Sequence, residues 1–508
     1  MPNRSARRPD LRSDLGFPVV VLGLSGAIML LPAAHAAVNG EFVVARAFFY
    51  SAVILAVLTV LIALSTANLR PRVRPQRHLI YLLGTYAVLP TALALPMLQA
   101  VPQMTLWQAW FEMLSAFTTT GATLFAPEDL PETLHLWRAL IGWLGGFHFI
   151  VMALALLVPM NLIGIADTSA RISASGADTS RQINQIADTG QRIRYYALML
   201  LPAYGGLTLA LWVGLLIAGD DGLVALCHAM STLSTSGISP IGGTERATSG
   251  VLGEVMIAVL LLVSVSRRVL PSIAGLERRF GRYDPEFLTA SCILLISVTA
   301  VMVTHVAAPI VPIRIDQLAS MIWGAFFTTL SFLTTTGFVS GGWDAATLWS
   351  GVTPPGLLLL ALALIGGGVA TTAGGVKLLR VYSVFRHGQR ELELLIEPSS
   401  VGGRGTAARQ LRTEGAQFAF IFFVLFAMMI GGVTAGLTLL AVDLESAIVL
   451  ALAALTNAGP VTVILEDGMS VWANLTGGQQ ALLAAGMVLG RLEMLAVLTF
   501  LTPELWRR

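Results

Sequence analysis

Four short stretches of the chain hold the residue types that could do chemistry. They are Thr118-Thr119-Thr120-Gly121-Ala122-Thr123, Ser234-Thr235-Ser236-Gly237-Ile238-Ser239, Thr334-Thr335-Thr336-Gly337-Phe338 and Thr456-Asn457-Ala458-Gly459-Pro460-Val461. Each follows an apolar run too short to cross a bilayer, and the glycines lie 116, 100 and 122 residues apart. That spacing suits one unit of two spanning helices with a short helix between them. Glycine adopts unusual torsions without steric penalty, and small neighbours let four loops approach one axis. A ring of main-chain carbonyls there can replace the water around a potassium ion. The residues so assigned are Thr119, Thr120 and Gly121, then Thr235, Ser236 and Gly237, then Thr335, Thr336 and Gly337, and last Asn457, Ala458 and Gly459. A single Thr-Thr-Thr-Gly reads as helix packing. Four in phase, each at the end of a short helix, point to a potassium pore.

The elements that must position these loops follow from composition and run length. Of 508 residues, 55% are hydrophobic and 12% charged, which excludes an ordinary soluble domain and implies a polytopic membrane protein. Apolar runs of spanning length occur at about 16–38, 46–67, 79–101, 137–163, 195–218, 250–270, 287–310, 355–382, 416–441 and 479–503. Shorter runs at about 106–118, 222–234, 322–334 and 444–456 each end at a glycine motif. The fold class is therefore all-α, with two leading spans and four units of span, half-helix, loop and span. The expected boundaries are 1–78 for the N-terminus and extra spans, then 79–165, 166–286, 287–412 and 413–508 for the four units.

Charge sets the expected orientation. With a cytoplasmic N-terminus, the cytoplasmic segments 1–15, 68–78, 164–194, 266–286, 377–412 and the tail after 503 hold 26 of the 31 Lys and Arg residues, as the positive-inside rule requires. All four half-helices then enter from outside. Glu128, Asp129, Glu132, Asp220, Asp221, Asp316, Asp344, Asp443 and Glu445 fall on that side too, and would form a cation-concentrating vestibule or simply solvated loops. Cys227 and Cys292 lie in separate apolar stretches and form no disulfide framework. His148 and His228 read as packed polar residues, and no convergent set of catalytic side chains supports a membrane enzyme.

The span 355–382 contains Gly366-Gly367-Gly368-Val369-Ala370-Thr371-Thr372-Ala373-Gly374-Gly375-Val376-Lys377. Five glycines and two threonines in mid-span break a helix, at about 1 kcal/mol per glycine relative to alanine. The break would place a loop directly beneath the third glycine motif, or else serve close helix packing. Lys377 is the chain's one lysine. Arg491 and Glu493 sit inside the last span, where a charge faces a cavity or a partner.

The motifs together resemble the TrkH/KtrB family of bacterial potassium transporters, within the superfamily that includes plant and fungal Trk and HKT proteins. The likeness runs from about Tyr81 to Leu501, with the leading spans resembling the TrkH branch. Two loops depart from the family pattern: Ser234-Thr-Ser-Gly-Ile-Ser239 differs from the usual second filter, and Thr456 and Val461 replace an Asn and a Gly of the fourth. Both spare the central glycine. The resemblance implies a pseudo-fourfold pore with a selectivity filter in each subunit, a homodimer in the bacterial inner membrane, K+ as the transported ion and no organic cofactor. It implies a cytosolic nucleotide-binding regulatory partner of the TrkA/KtrA type, with Gly164–Arg194, Arg278, Arg279, Arg386 and Arg390 available to dock it. It further implies an intramembrane gate at Gly366, Gly367, Gly368, Thr371, Thr372, Gly374, Gly375 and Lys377, with Arg491 projecting beneath the filter. Sodium- or proton-coupled symport by the same fold remains an alternative.

Overall fold

Runs of apolar residues in hydrocarbon must pair every backbone polar group internally, so they become helices. The structure, a computed structural model, describes residues 17–66, 75–157, 189–266, 284–306, 315–343, 356–396, 406–465 and 468–492, and no strand occurs among them. Among the described residues, seven stretches are long and apolar enough to cross a membrane: Val19–Val38, Phe42–Thr66, Leu82–Ala100, Glu132–Ala155, Gly190–Ala218, Pro285–Val303 and Ala419–Leu439. Three of the ten expected spans are shorter in the described residues. Helices Gly250–Val265 and Gly477–Arg491 reach the limit of what is described. The span at 355–382 is interrupted at its glycines.

The chain divides by contact into residues 1–114 and 115–508. In the first unit, α1 (Phe17–Ile28) and α2 (Leu30–Val38) pack on α3 (Phe42–Thr66), which packs on α4 (Pro75–Ala100). Helix α5 (Leu106–Phe117) carries the chain across the division. The second unit contains α6 (Glu132–Met152), α7 (Thr189–Ala218), α8 (Gly222–Ser234), α9 (Gly250–Val265), α10 (Pro285–Val306) and α11 (Ile315–Leu333). It continues with α12 (Gly356–Ile365), α13 (Leu378–Ile396), α14 (Thr406–Leu439), α15 (Leu444–Leu455) and α16 (Gly477–Arg491).

The short helices α5, α8, α11 and α15 are the four half-helices. Three match the expected runs, whereas α11 begins at Ile315 and not near 322, since no glycine or proline interrupts the stretch from Ile315 to Met321. Three of them pack on neighbours from both sides of the chain: α8 on α6 and α7, α11 on α10 and the short α12, and α15 on α14 and α16. Their C-terminal halves are mostly apolar or small and are buried, including every residue from Cys227 to Ser234 and from Val449 to Leu455. Longer helices instead leave Leu209, Ile217, Leu295, Ile296, Phe420 and Met428 exposed. An outward apolar surface on a spanning helix suits contact with lipid tails.

Candidate functional site

The four half-helices end in the same way. Thr119, Thr235, Thr335 and Asn457 each take a left-handed conformation, with φ of 57°, 52°, 58° and 52°. Their N–H groups donate back to the carbonyls of Ala116, Thr232, Phe332 and Ala454 at 2.9–3.3 Å. The next N–H, of Thr120, Ser236, Thr336 and Ala458, donates to the carbonyl of Ser115, Ser231, Ser331 and Ala453 at 2.9–3.1 Å. This pair of bonds is the Schellman closure. It is made four times by non-glycine residues, for which a left-handed backbone is uncommon. The N–H groups are thus turned back into the helix ends, and strain of this kind collects at functional sites.

Gly121, Gly237 and Gly337 follow with φ of 75°, 66° and 78°. Gly459 departs from them, because Pro460 draws it into a 3-10 turn spanning Gly459–Ile464. Each loop touches the next. A Cβ on Gly121 would overlap the Ser236 carbonyl oxygen, and one on Gly237 would overlap that of Thr336. One on Gly337 would lie 2.6 Å from Pro460 Cβ. The circuit closes where Gly459 N–H donates to Thr120 O at 2.7 Å and Asn457 Nδ2 to Thr120 Oγ1 at 3.1 Å. All twelve residues assigned to the loops from sequence are therefore brought into one cluster, buried except for the partly exposed Gly237.

Side-chain hydroxyls in this ring are largely engaged with one another. Thr118 pairs with Thr120 at 2.8 Å, Ser234 with Ser236 at 3.0 Å, and Thr334 with Thr336 at 3.1 Å. Ser115 Oγ donates to Ala122 O at 2.7 Å, and Ser331 Oγ accepts from Phe338 N at 2.7 Å. Ser115, Ser231 and Ser331 all stand six residues before the glycine, with Ala453 at the fourth position. Reading the motifs alone missed them, although the fixed offset was visible.

A cavity of about 470 Å³ opens against the glycines, lined in part by Gly121, Gly237, Gly337 and Pro460. Its charged lining is balanced: Asp129 and Glu245 stand with Arg138 and Arg246. Of the nine acidic residues expected to form a vestibule, Asp129 is the one on this lining, so the described wall does not carry the expected acidic excess. His228 is packed as expected, with Nε2 2.9 Å from Ser239 Oγ and its ring edge-on to Phe338.

A loop at 366–377 separates α12 from α13 and abuts the other end of the ring. Val376 N donates to Leu364 O at 2.9 Å, Lys377 N to Ile365 O at 2.8 Å and Leu378 N to Gly367 O at 3.0 Å, so the loop folds back on its own stem. Gly366 and Gly375 meet there with φ of 74° and 76°, which glycine alone adopts without penalty. Gly368 N and Thr371 Oγ1 donate to Ser264 O, and Val369 N donates to Glu286 Oε1 at 2.9 Å. Three further contacts reach the helix ends under the glycines. Thr372 Oγ1 donates to Leu233 O at 3.0 Å, Gly374 N donates to Thr335 Oγ1 at 2.7 Å, and Gly374 lies against Thr456 O.

Buried cations accompany this loop, among them Arg380, whose Nη1 donates to Val376 O at 3.0 Å, and the pair Arg491 and Lys377. Arg491 Nη1 donates to Thr372 O at 2.6 Å, with its guanidinium 4.1 Å from the Phe149 ring centroid. Lys377 Nζ donates to Ala373 O and lies 5.7 Å from the same ring. Phe149, on α6, is a shared platform that sequence spacing could not have identified. Glu493, considered as an alternative partner for Arg491, lies outside the described residues.

A family model for TrkH, described as a cation transport protein, matches residues 287–507. The Trk system potassium uptake protein TrkH of Escherichia coli (strain K12) is 30% identical over 438 residues, covering 83% of this chain and 84% of that protein. The chain belongs to the TrkH family. The Trk system potassium uptake protein TrkI of Halomonas elongata is 27% identical over 476 residues, covering 91% of each chain. The fold matches the crystal structure of the potassium transporter TrkH from Vibrio parahaemolyticus with a TM-score of 0.76 and 24% identity, over 98% of this chain and 100% of that one. Loops three and four, the 366–377 loop and Arg491 fall inside the TrkH family match; loops one and two precede it.

Proposed function

We propose that the chain takes up potassium across the bacterial inner membrane through the ring formed by Thr119–Gly121, Thr235–Gly237, Thr335–Gly337 and Asn457–Gly459. The convergence of four Schellman-closed loops carries this reading. An ion leaving water needs oxygen ligands in comparable number, and carbonyls of a closed ring supply them without a charged side chain. Four half-helix C-termini aim partial negative charge at the same point. Below the ring, the 366–377 loop acts as the gate, held by Thr372, Gly374 and Arg491. Arg491 adds an electrostatic barrier to a cation passing the seated loop.

The N-terminus is cytoplasmic, the half-helices enter from outside, and the working form is a homodimer regulated by a cytosolic nucleotide-binding subunit. The gathering of 26 of the 31 Lys and Arg residues on the segments read as cytoplasmic supports the orientation, and the resemblance to the TrkH/KtrB family supports the dimer and the regulatory subunit. Purified protein in liposomes tests the core of the proposal. The expected result is K+ and Rb+ uptake well above Na+ uptake under an inside-negative potential, falling away when the potential is reversed. Uptake requiring a Na+ or proton gradient would replace the pore with a coupled symporter, and no cation uptake would overturn the proposal.

A further inference from the structure

Glu254 is a single carboxylate in an otherwise apolar stretch of α9, and neither the ring nor the gate loop includes it. It is 5% exposed. Its Oε2 accepts from Trp323 Nε1 on α11 at 2.7 Å and from Ser340 Oγ at 2.7 Å. Its Oε1 accepts from Gly341 N at 2.9 Å. A buried carboxylate is costly unless its oxygens are hydrogen-bonded, and here both are. One side chain therefore ties the half-helix before loop three to the backbone that leaves it.

The same backbone has further anchors. Thr244 Oγ1 donates to Val339 O at 2.8 Å, Ser340 N donates to Thr328 Oγ1 at 3.2 Å, and Phe338 N donates to Ser331 Oγ at 2.7 Å. Phe338 immediately follows Gly337, and Gly337 is seated against Pro460. Residues 338–341 are thus braced from α9 and α11 at once. Loop two is finished differently, by Ser239 Oγ accepting from Ile241 N and Gly243 N within its own stretch.

We propose that Glu254 is a positioning residue for ion selectivity, fixing the exit of loop three so that the Thr336–Gly337 carbonyls hold K+ spacing. The inference rests on the reading of the four loops as the filter. Selectivity depends on the number and placement of carbonyl dipoles and on how freely they relax. Loosening this brace lets loop three close around a smaller ion while the other loops stay formed. Glu254→Gln is nearly isosteric, but its amide nitrogen must either face the Trp323 and Ser340 donors or displace Gly341 N–H from its acceptor. Ser340→Ala and Trp323→Phe remove one donor each and leave the carboxylate in place.

The test is paired K+ and Na+ uptake into liposomes by wild type, Glu254→Gln and Ser340→Ala, with thermal stability and oligomer size measured on the same preparations. The expected result is a K+-to-Na+ ratio lowered about five- to tenfold in Glu254→Gln, the effect of roughly one hydrogen bond of differential ligation, and lowered less in Ser340→Ala. Both variants keep K+ flux. A reduced melting temperature with an unchanged ratio would show a purely structural brace and overturn the inference. Should Glu254→Gln not fold, an unchanged ratio in Ser340→Ala and Trp323→Phe overturns it equally. Absence of cation flux in wild type would instead defeat the filter reading itself.

Discussion

Gly374 offers a substitution that strikes the seated 366–377 loop, proposed above as the gate, without touching backbone preference. Its torsions lie outside the left-handed region, so alanine suits the local conformation, yet a Cβ there would fall well under 3.0 Å from Thr456 O. In Gly374→Ala the loop must withdraw, and the Gly374 N–H···Thr335 Oγ1 bond goes with it. A neutral hydrogen bond contributes about 0.5–1.5 kcal/mol net and one to a charged group about 1.5–3. Losing the Thr335 bond and weakening the Arg491–Thr372 contact then costs the seated state about 1–3 kcal/mol. That corresponds to a roughly 5- to 150-fold shift toward the withdrawn loop. Thr372→Val removes the bond to Leu233 O without adding a clash, and its effect is about fivefold. The assay is K+ flux into liposomes without any regulatory subunit, with size-exclusion and thermal stability as fold controls. Both variants raise flux, Gly374→Ala more, with the K+-to-Na+ ratio kept. If Thr456 yields instead of the loop, Gly374→Ala loses selectivity while Thr372→Val still gains flux. Flux at or below wild type in folded Thr372→Val refutes the gate assignment.

Three further outcomes follow from the same contacts. Arg491→Ala deletes the cation bonded to Thr372 O and raises K+ flux by about tenfold, whereas Arg491→Lys keeps the charge, loses the planar stacking on Phe149 and falls between. Gly237→Ala places a Cβ at φ 66° against Thr336 O and Pro460; it abolishes K+ flux while elution volume stays unchanged. Asp443 caps α15 by accepting from Ser446 N at 2.8 Å, and that bond holds its carboxyl below the usual carboxylate range. Asp443→Ala lowers stability by about 1 kcal/mol. Because the folded value is the depressed one, the melting-temperature difference is constant at pH 5–8 and shrinks as pH falls below about 4.

The half-helices and loops were legible because their evidence is local. A short apolar run ending in Thr-Gly, Ser-Gly or Asn-x-Gly recurs four times, and backbone geometry at such an end follows from a few residues. The break at 366–377 was legible for the same reason, since five glycines cannot continue a helix cheaply. What joins distant segments was not. Glu254 and Ser340 are 86 residues apart, and Thr372 lies 139 from Leu233; no spacing rule links them. Nor could periodicity show that Phe149 receives both Arg491 and Lys377. Charge counts left a vestibule or solvated loops open, and could not show that Arg138 and Arg246 reach the same wall as Asp129 and Glu245. Helix α11 was begun too late because its first turns are less apolar than its last.

The most direct measurement is anomalous diffraction from crystals grown in Rb+ or Tl+, both mimics of K+. The account predicts anomalous peaks on the axis enclosed by Thr120, Ser236, Thr336 and Ala458, weakened when Na+ replaces the heavier ion. Peaks confined to other surfaces, with that axis empty at saturating Tl+, would contradict it.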